Sequence, residues 1–272
     1  MLHHHLAAVA RKKASSGDGK YLYVGEYDGD ILKYDMTDID DLSTASYAEK
    51  TSASSSGLTG VYVDPTGTKV STAWDTGSSS SNRQRTYTMS AHNLSTLSFS
   101  TSWSIVSEQN LRGIFYGDNG NKVFMCGDDR DRVSSWATGS AYGLFTGSQS
   151  FFDTSSQVIS HSSLCFNTSG TKMYVGDDSS TSGDIIYQYT LSSAWDITTT
   201  SYDSKTLAAT NPTGLWINAN GTKLFVINGD TSVITRYTLS TPYDVSTGSA
   251  DANTLNLSSN TASTPYGLCF VG

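Results

Sequence analysis

Aspartates carry most of the candidate chemistry in this sequence. Asp28, Asp30, Asp75, Asp128, Asp129, Asp131, Asp177, Asp178, Asp184 and Asp230 all fall in polar stretches that follow short apolar runs. Carboxylates gathered on one surface could coordinate Ca2+, a hard cation that takes oxygen ligands, or accept hydrogen bonds from sugar hydroxyls. For the sugar reading, Trp74 offers a ring beside Asp75, with Asp128, Asp129, Asp131 and Asp230 as further ligand-binding candidates. The stretch Asp128-Asp129-Arg130-Asp131-Arg132 and the set Asp177, Asp178 and Asp184 are the densest, the latter being the candidate Ca2+ set, and no other cofactor is expected. The competing reading is plainer: Asp, Gly and Ser are good hairpin residues on a solvated rim.

Catalytic patterns are sparse. Paired carboxylates serve glycoside hydrolysis, but Glu occurs only at positions 26, 49 and 108. Glu26 ends an apolar run, where a catalytic acid could sit. His92 and His161 are isolated, with no Gly-x-Ser-x-Gly nucleophile motif beside them. Cys126, Cys165 and Cys269 show no zinc spacing and read as small apolar residues in strands. A non-enzymatic binding or structural module is the expectation.

The elements that must position these aspartates repeat five times. Asp18-Gly19-Lys20, Thr66-Gly67-Thr68-Lys69, Asn119-Gly120-Asn121-Lys122, Ser169-Gly170-Thr171-Lys172 and Asn220-Gly221-Thr222-Lys223 share a turn followed by Lys, at intervals of 49, 53, 50 and 51 residues. Glycine supplies the positive φ of a tight hairpin. Each Lys opens a β-rich strand B, and strand C follows with Tyr34, Tyr87, Trp136, Tyr189 or Tyr237 at a matched place. The B–C loops vary in length and hold the aspartates. A turn centred on Asp41, Asn93, Gly143, Asp196 or Asp244 then leads to a polar outer strand D.

Nine residues before Lys comes an almost continuously apolar strand A: Gly60-Val61-Tyr62-Val63, Gly113-Ile114-Phe115-Tyr116, Ser163-Leu164-Cys165-Phe166 and Gly214-Leu215-Trp216-Ile217. The first repeat has Arg11-Lys12-Lys13 there, which cannot be such a strand. A spare copy, Gly267-Leu268-Cys269-Phe270, lies at the other end. The expected fold is therefore all-β: a five-bladed β-propeller of four-stranded antiparallel blades, closed by the C-terminal strand joining the N-terminal blade. In that topology all five B–C loops share one face with the D–A loops.

The pattern Gly-Thr-Lys-Met/Leu-Tyr/Phe-Val, Tyr-x-Tyr-Thr-Leu-Ser, then Trp/Tyr-Asp-Ile/Val-Ser/Thr-Thr resembles YVTN-type, WD40-like propeller repeats of the kind found in marine bacteria and bacteriophages. The resemblance covers residues 17–272. It implies a binding or structural platform, foremost a virion structural or decoration protein, with a secreted or cell-surface glycan-binding adhesin as the alternative and a glycosidase-like enzyme more remote. Trp74-Asp75 and Trp195-Asp196 imitate the WD signature at unmatched repeat positions and are coincidental.

Composition agrees with strands and polar turns, since only 15% of residues are charged and Gly numbers 24. The net charge of −8 disfavours nucleic acid, and no run is long enough for a membrane-spanning helix. Residues 1–16 form an N-terminal arm, with the propeller at 17–272. The arm lacks the basic start and apolar length of a signal peptide. Its Leu2, Leu6, Arg11, Lys12 and Lys13 are candidates for docking on other subunits of a larger assembly, on a virion or an extracellular surface.

Overall fold

Runs that alternate β-branched or aromatic residues with small polar ones pack best on a pleated, half-buried surface, and polar turns, several of them centred on glycine, end them. The computed structural model describes residues 20–54, 56–75, 77, 82–105, 110–128, 130–179 and 183–272. Its strands are β1 (Lys20–Glu26), β2 (Asp30–Met36) and β3 (Ser46–Ser52), then β4 (Leu58–Val63), β5 (Lys69–Trp74), β6 (Arg83–Ser90) and β7 (Asn93–Ser104). They continue as β8 (Leu111–Gly117), β9 (Lys122–Gly127), β10 (Arg132–Thr138) and β11 (Phe145–Asp153). Next come β12 (His161–Phe166), β13 (Lys172–Asp177), β14 (Ile185–Leu191) and β15 (Thr200–Ala208). The series ends with β16 (Pro212–Ile217), β17 (Lys223–Asn228), β18 (Val233–Leu239), β19 (Gly248–Asn256) and β20 (Pro265–Val271).

These form five four-stranded antiparallel sheets, four of them consecutive in sequence. The fifth has the order β20-β1-β2-β3, so the last strand lies inside the first blade. The register sets Leu22 opposite Phe270, Tyr23 opposite Cys269 and Val24 opposite Leu268. The expected five-bladed propeller and its closure are what the structure shows. The arm over residues 1–16 lies outside the described residues.

Three of the A–B turns are built the same way. After strand A, the side-chain oxygen of Asp64, Asn167 or Asn218 accepts two backbone N–H groups of the turn, at 2.7–3.0 Å. The turn glycines, Gly67, Gly120, Gly170 and Gly221, all have positive φ. An aromatic or imidazole ring from the C–D turn lies over each one: His92, Tyr142, Trp195 and Tyr243, themselves at φ of 56 to 62°. Their backbone N–H groups donate to the carbonyls of those same glycines at 2.8–2.9 Å. An unusual backbone conformation is thus held by a bond and a stacked ring in four blades.

The aspartates and asparagine expected in the C–D turns act as caps. Asp41, Asp196 and Asp244 accept from Ser43, Thr198 and Ser246 N–H, each opening a single helical turn, and Asn93 accepts from Ser95 N–H. Cys126, Cys165 and Cys269 are free and buried, as expected.

The glycine packing makes a paired prediction. A Cβ on Gly170 would lie 2.2 Å from the Trp195 ring at φ +69°, whereas one on Gly77, at φ +71°, meets no atom of the described residues within 4 Å. Gly77→Ala should cost about 1 kcal/mol from left-handed backbone alone. Gly170→Ala should cost about 1–3 kcal/mol more through overpacking, read as the difference in urea midpoints.

Candidate functional site

The topology gives the propeller two ends. B–C and D–A loops share one face, and the A–B and C–D turns share the other. Between them the axis is nearly filled: the inner strands leave a cavity of about 10 Å3 along Gly60, Gly113, Ser163, Gly214 and Gly267, no larger than a single water requires.

The B–C face holds the aspartates expected from sequence, but their environments differ. Trp74 is fully buried, with Nε1 donating to Thr72 Oγ1 at 2.5 Å and the Arg85 guanidinium 4.2 Å from its ring centre. The expected sugar-stacking role of Trp74 is therefore corrected: its ring faces protein on all sides. Asp75 is also buried and pairs with Arg112 at 2.8 Å. Asp230 is exposed and accepts from Asn211 Nδ2 at 2.7 Å. Asp131 adopts φ 45°, and its carbonyl accepts from Thr154, so its backbone shapes a loop. The N–H of Asp128 donates to the Asn110 carbonyl at 3.2 Å. Asp129 lies outside the described residues.

The Ca2+ set is also redistributed. Asp177 is buried and accepts the Ser160 N–H at 3.0 Å, and Asp184 accepts the Asn211 N–H at 2.8 Å. Among the described residues, the acidic oxygens that lie within 4.8 Å of one another belong instead to Glu26, Asp28 and Asp30. A cation already serves that group: Lys50 Nζ lies 2.9 Å from Glu26 and 2.7 Å from Asp30. Burial opposes its charge, but the hydrogen bonds to Asp30 and Glu26 win and hold the ammonium protonated. Glu26 also accepts the Ala262 N–H at 2.7 Å, which ties the D–A loop to blade 1 and makes this glutamate structural.

What the B–C face does bring together is a polar mouth around the axis. In blades 2 to 5 the A–B strand pair shifts register just before its inner glycine or serine, and the extra residue there is Thr59, Arg112, Ser162 or Thr213. Bulges re-aim side chains. Ser162 and Thr213 hydroxyls donate to the next blade's Pro212 and Pro265 carbonyls at 2.9 and 2.7 Å. Arg112 alone is long and charged, reaching back to Asp75. Asp178 has its carboxyl raised above the ordinary range by burial and by Asp184, Asp230 and Asp177, against an opposing effect of Arg112. Comparing the bulge position across repeats would have singled out Arg112 from sequence.

The opposite end holds the feature that sequence reading passed over. Two residues after the inner glycine or serine stand Tyr62, Phe115, Cys165, Trp216 and Cys269. The three rings tile the axis, with Tyr62 to Phe115 at 5.4 Å, Phe115 to Trp216 at 5.9 Å and Tyr62 to Trp216 at 6.5 Å. Where the residue is cysteine, the smaller side chain lets the next blade's backbone approach: Cys269 Sγ lies 3.4 Å from Val63 N. Burial pushes that thiol up to about 12. Over the rings open two adjoining depressions of about 290 Å3 each, sharing Trp216, Phe270 and Thr168. Asp118 and Asn119 stand on the rim and Tyr142 and Trp195 on the wall. Burial raises the Tyr62 and Tyr142 phenols, so this bowl presents neutral rings.

No family model matches the sequence, and no curated protein does. Solved structures do share the fold. A chain of a nidogen/laminin complex matches with a TM-score of 0.58 at 13% identity, over 93% of this chain and 99% of that one. A candidate 6-phosphogluconolactonase from Bacteroides uniformis matches at 0.54 and 14% identity, over 95% of this chain and 72% of that one. One from Bacteroides fragilis matches at 0.52 and 10%, over 95% and 99%. These comparisons correct the expectation of a non-enzymatic module, because proteins assigned as lactonases share this architecture. At such identity the likeness is one of fold.

Two buried imidazoles make a pH prediction. Burial lowers His161 to about 3, with Nε2 2.8 Å from Thr154 Oγ1 and Nδ1 unpartnered. Burial and Lys33 lower His92. The unfolded chain binds these protons near pH 6.5 and the folded chain does not. Their contribution is complete above pH 6.5 and is lost as pH falls from there toward the folded-state values. Stability should drop by about 1.4 kcal/mol per pH unit for each proton. His161→Gln should flatten the slope by one proton between pH 6 and 4.5, measured by urea unfolding.

Proposed function

We propose that the chain is a recognition propeller whose ligand is a neutral ring, foremost a sugar ring, held in the aromatic bowl at the A–B turn end. The observation that carries this reading is the contiguous floor of Tyr62, Phe115 and Trp216 opening into about 290 Å3 on either side of the shared wall. Pockets of this size and apolar lining, with a few polar groups at the edge, suit small ligands. Sugar rings present C–H faces to aromatics and hydroxyls to rim groups such as Asp118 and Asn119, which make no side-chain hydrogen bonds among the described residues. The particle-borne role implied by the repeats adds an anchor to this picture. The arm over residues 1–16 would dock on neighbouring subunits of a virion or surface, and the bowl would face its target.

Tryptophan fluorescence titrations with neutral mono- and oligosaccharides should show saturable binding. Asn119→Ala and Trp216→Leu, checked by circular dichroism, should each weaken it at least tenfold. No saturable signal across the panel, or unchanged affinity in both variants, would remove this reading.

A second reading, hydrolysis of a sugar lactone, draws on the polar mouth and on the candidate lactonases that share the fold. A carboxyl group with a raised pKa can serve as general base. Asp178 would take a proton from water as the oxygen adds to the lactone carbonyl, and the ring oxygen would leave with a proton. Asp178→Asn should then slow glucono-1,5-lactone opening about 100-fold. A wild-type rate equal to the buffer background would exclude it.

A further inference from the structure

Most seams between blades are closed from their outer edge. Glu49 of β3 accepts the Leu94 and Ser95 N–H groups of the next blade's C–D turn at 3.0 and 3.2 Å. Lys205 of β15 reaches Asp244 at 2.6 Å, and Asn253 of β19 accepts the Leu42 N–H at 2.7 Å. In each case the outer strand of one blade grips the capped turn of the next.

The seam between blades 2 and 3 is built differently. The third C–D turn has Gly143 where the others have Asp or Asn, and no aspartate caps it. Its grip comes from one strand further in: Gln84 of β6 accepts the Phe145 N–H at 3.0 Å and donates to the Gly143 carbonyl at 3.1 Å. No side chain of β7, the longest strand among the described residues, hydrogen-bonds to this turn. The seam opens there into a cleft of about 370 Å3.

The lining of that cleft defines its ligand. Trp103 is 58% exposed, and its ring meets Phe145 edge-on at 6.1 Å. Thr88, Ser100 and Thr101 line the same cleft. Among the described residues that line it, Lys69 carries the one charge, and its ammonium donates to the Ala141 carbonyl at 2.6 Å. An exposed indole, surrounding hydroxyl residues and an ammonium that can donate to sugar oxygens match a neutral saccharide, whose C–H faces stack on rings while its hydroxyls exchange hydrogen bonds.

We propose that this open seam is a second saccharide site, independent of the axial bowl, that takes a neutral oligosaccharide against Trp103. Binding of cello-, malto- and chito-oligosaccharides would be followed by calorimetry on wild type, Trp103→Ala, Thr101→Val and the bowl variant Trp216→Leu. Trp103 is largely exposed, so its removal leaves the fold intact. A site at the seam predicts at least a tenfold loss of one binding event in Trp103→Ala, a smaller loss in Thr101→Val, and retention of that event in Trp216→Leu. Binding that survives Trp103→Ala unchanged, or a panel with no heat at all, overturns the seam site. Loss confined to Trp216→Leu overturns it while leaving the bowl standing.

Discussion

Everything in this fold depends on how closely five inner strands can crowd round one axis. A Cβ on Gly60 would lie 3.0 Å from Ile114 N, one on Gly113 would lie 3.2 Å from Leu164 N, and one on Gly267 would lie 2.6 Å from Val61 N. The first two contacts are tighter than most side-chain contacts, and the last is closer than any Cβ tolerates. Glycine at these places lets each blade touch the next through backbone, and β20, paired with β1 in its own blade, completes the ring by packing between β16 and β4. Ring closure leaves the inner edges short and shielded by their neighbours round the axis. It also plugs the axis, so binding must occur at the ends or between blades.

Much of this is legible from residue spacing. The Lys-Gly turns mark strand B, and the missing inner strand of the first repeat is matched by the extra Gly267–Phe270 copy. The structure confirms both. The aspartates were harder to read, because a repeat pattern places residues on a face but does not say which way they are spent. Asp177 and Asp184 are engaged by backbone amides, and Glu26 is tied up by Lys50 and the Ala262 N–H. Trp74 looked like a platform because it neighbours polar loop residues, yet it ends a strand whose side chains are buried. The bowl went unread for the opposite reason. Tyr62, Phe115 and Trp216 sit in apolar runs that end each inner strand, and only their alignment with Cys165 and Cys269 reveals an uneven set at one level of the axis.

Departures from the repeat therefore carry more functional information than the repeat itself. Arg112 replaces a small hydroxyl residue at a bulge and polarises the B–C end. Rings replace cysteine at the other end and make its floor. Gly143 replaces a capping aspartate or asparagine and leaves the blade 2–3 seam open beside Trp103. In each place the shared scaffold supplies rigidity through the A–B turn and its stacked ring, while one altered residue changes what the surface offers. The fold alone leaves catalysis open, as its sharing with candidate lactonases makes plain.

The central claim is the closed ring, because both ends and the seam inherit their geometry from it. Hydrogen–deuterium exchange of the intact chain tests it directly, by following peptides that cover residues 20–26 and 265–271. Closure predicts that both resist exchange as strongly as the inner strands β8 and β12 and lose protection in one cooperative transition. Rapid exchange across 265–271 while β8 and β12 stay protected would contradict it.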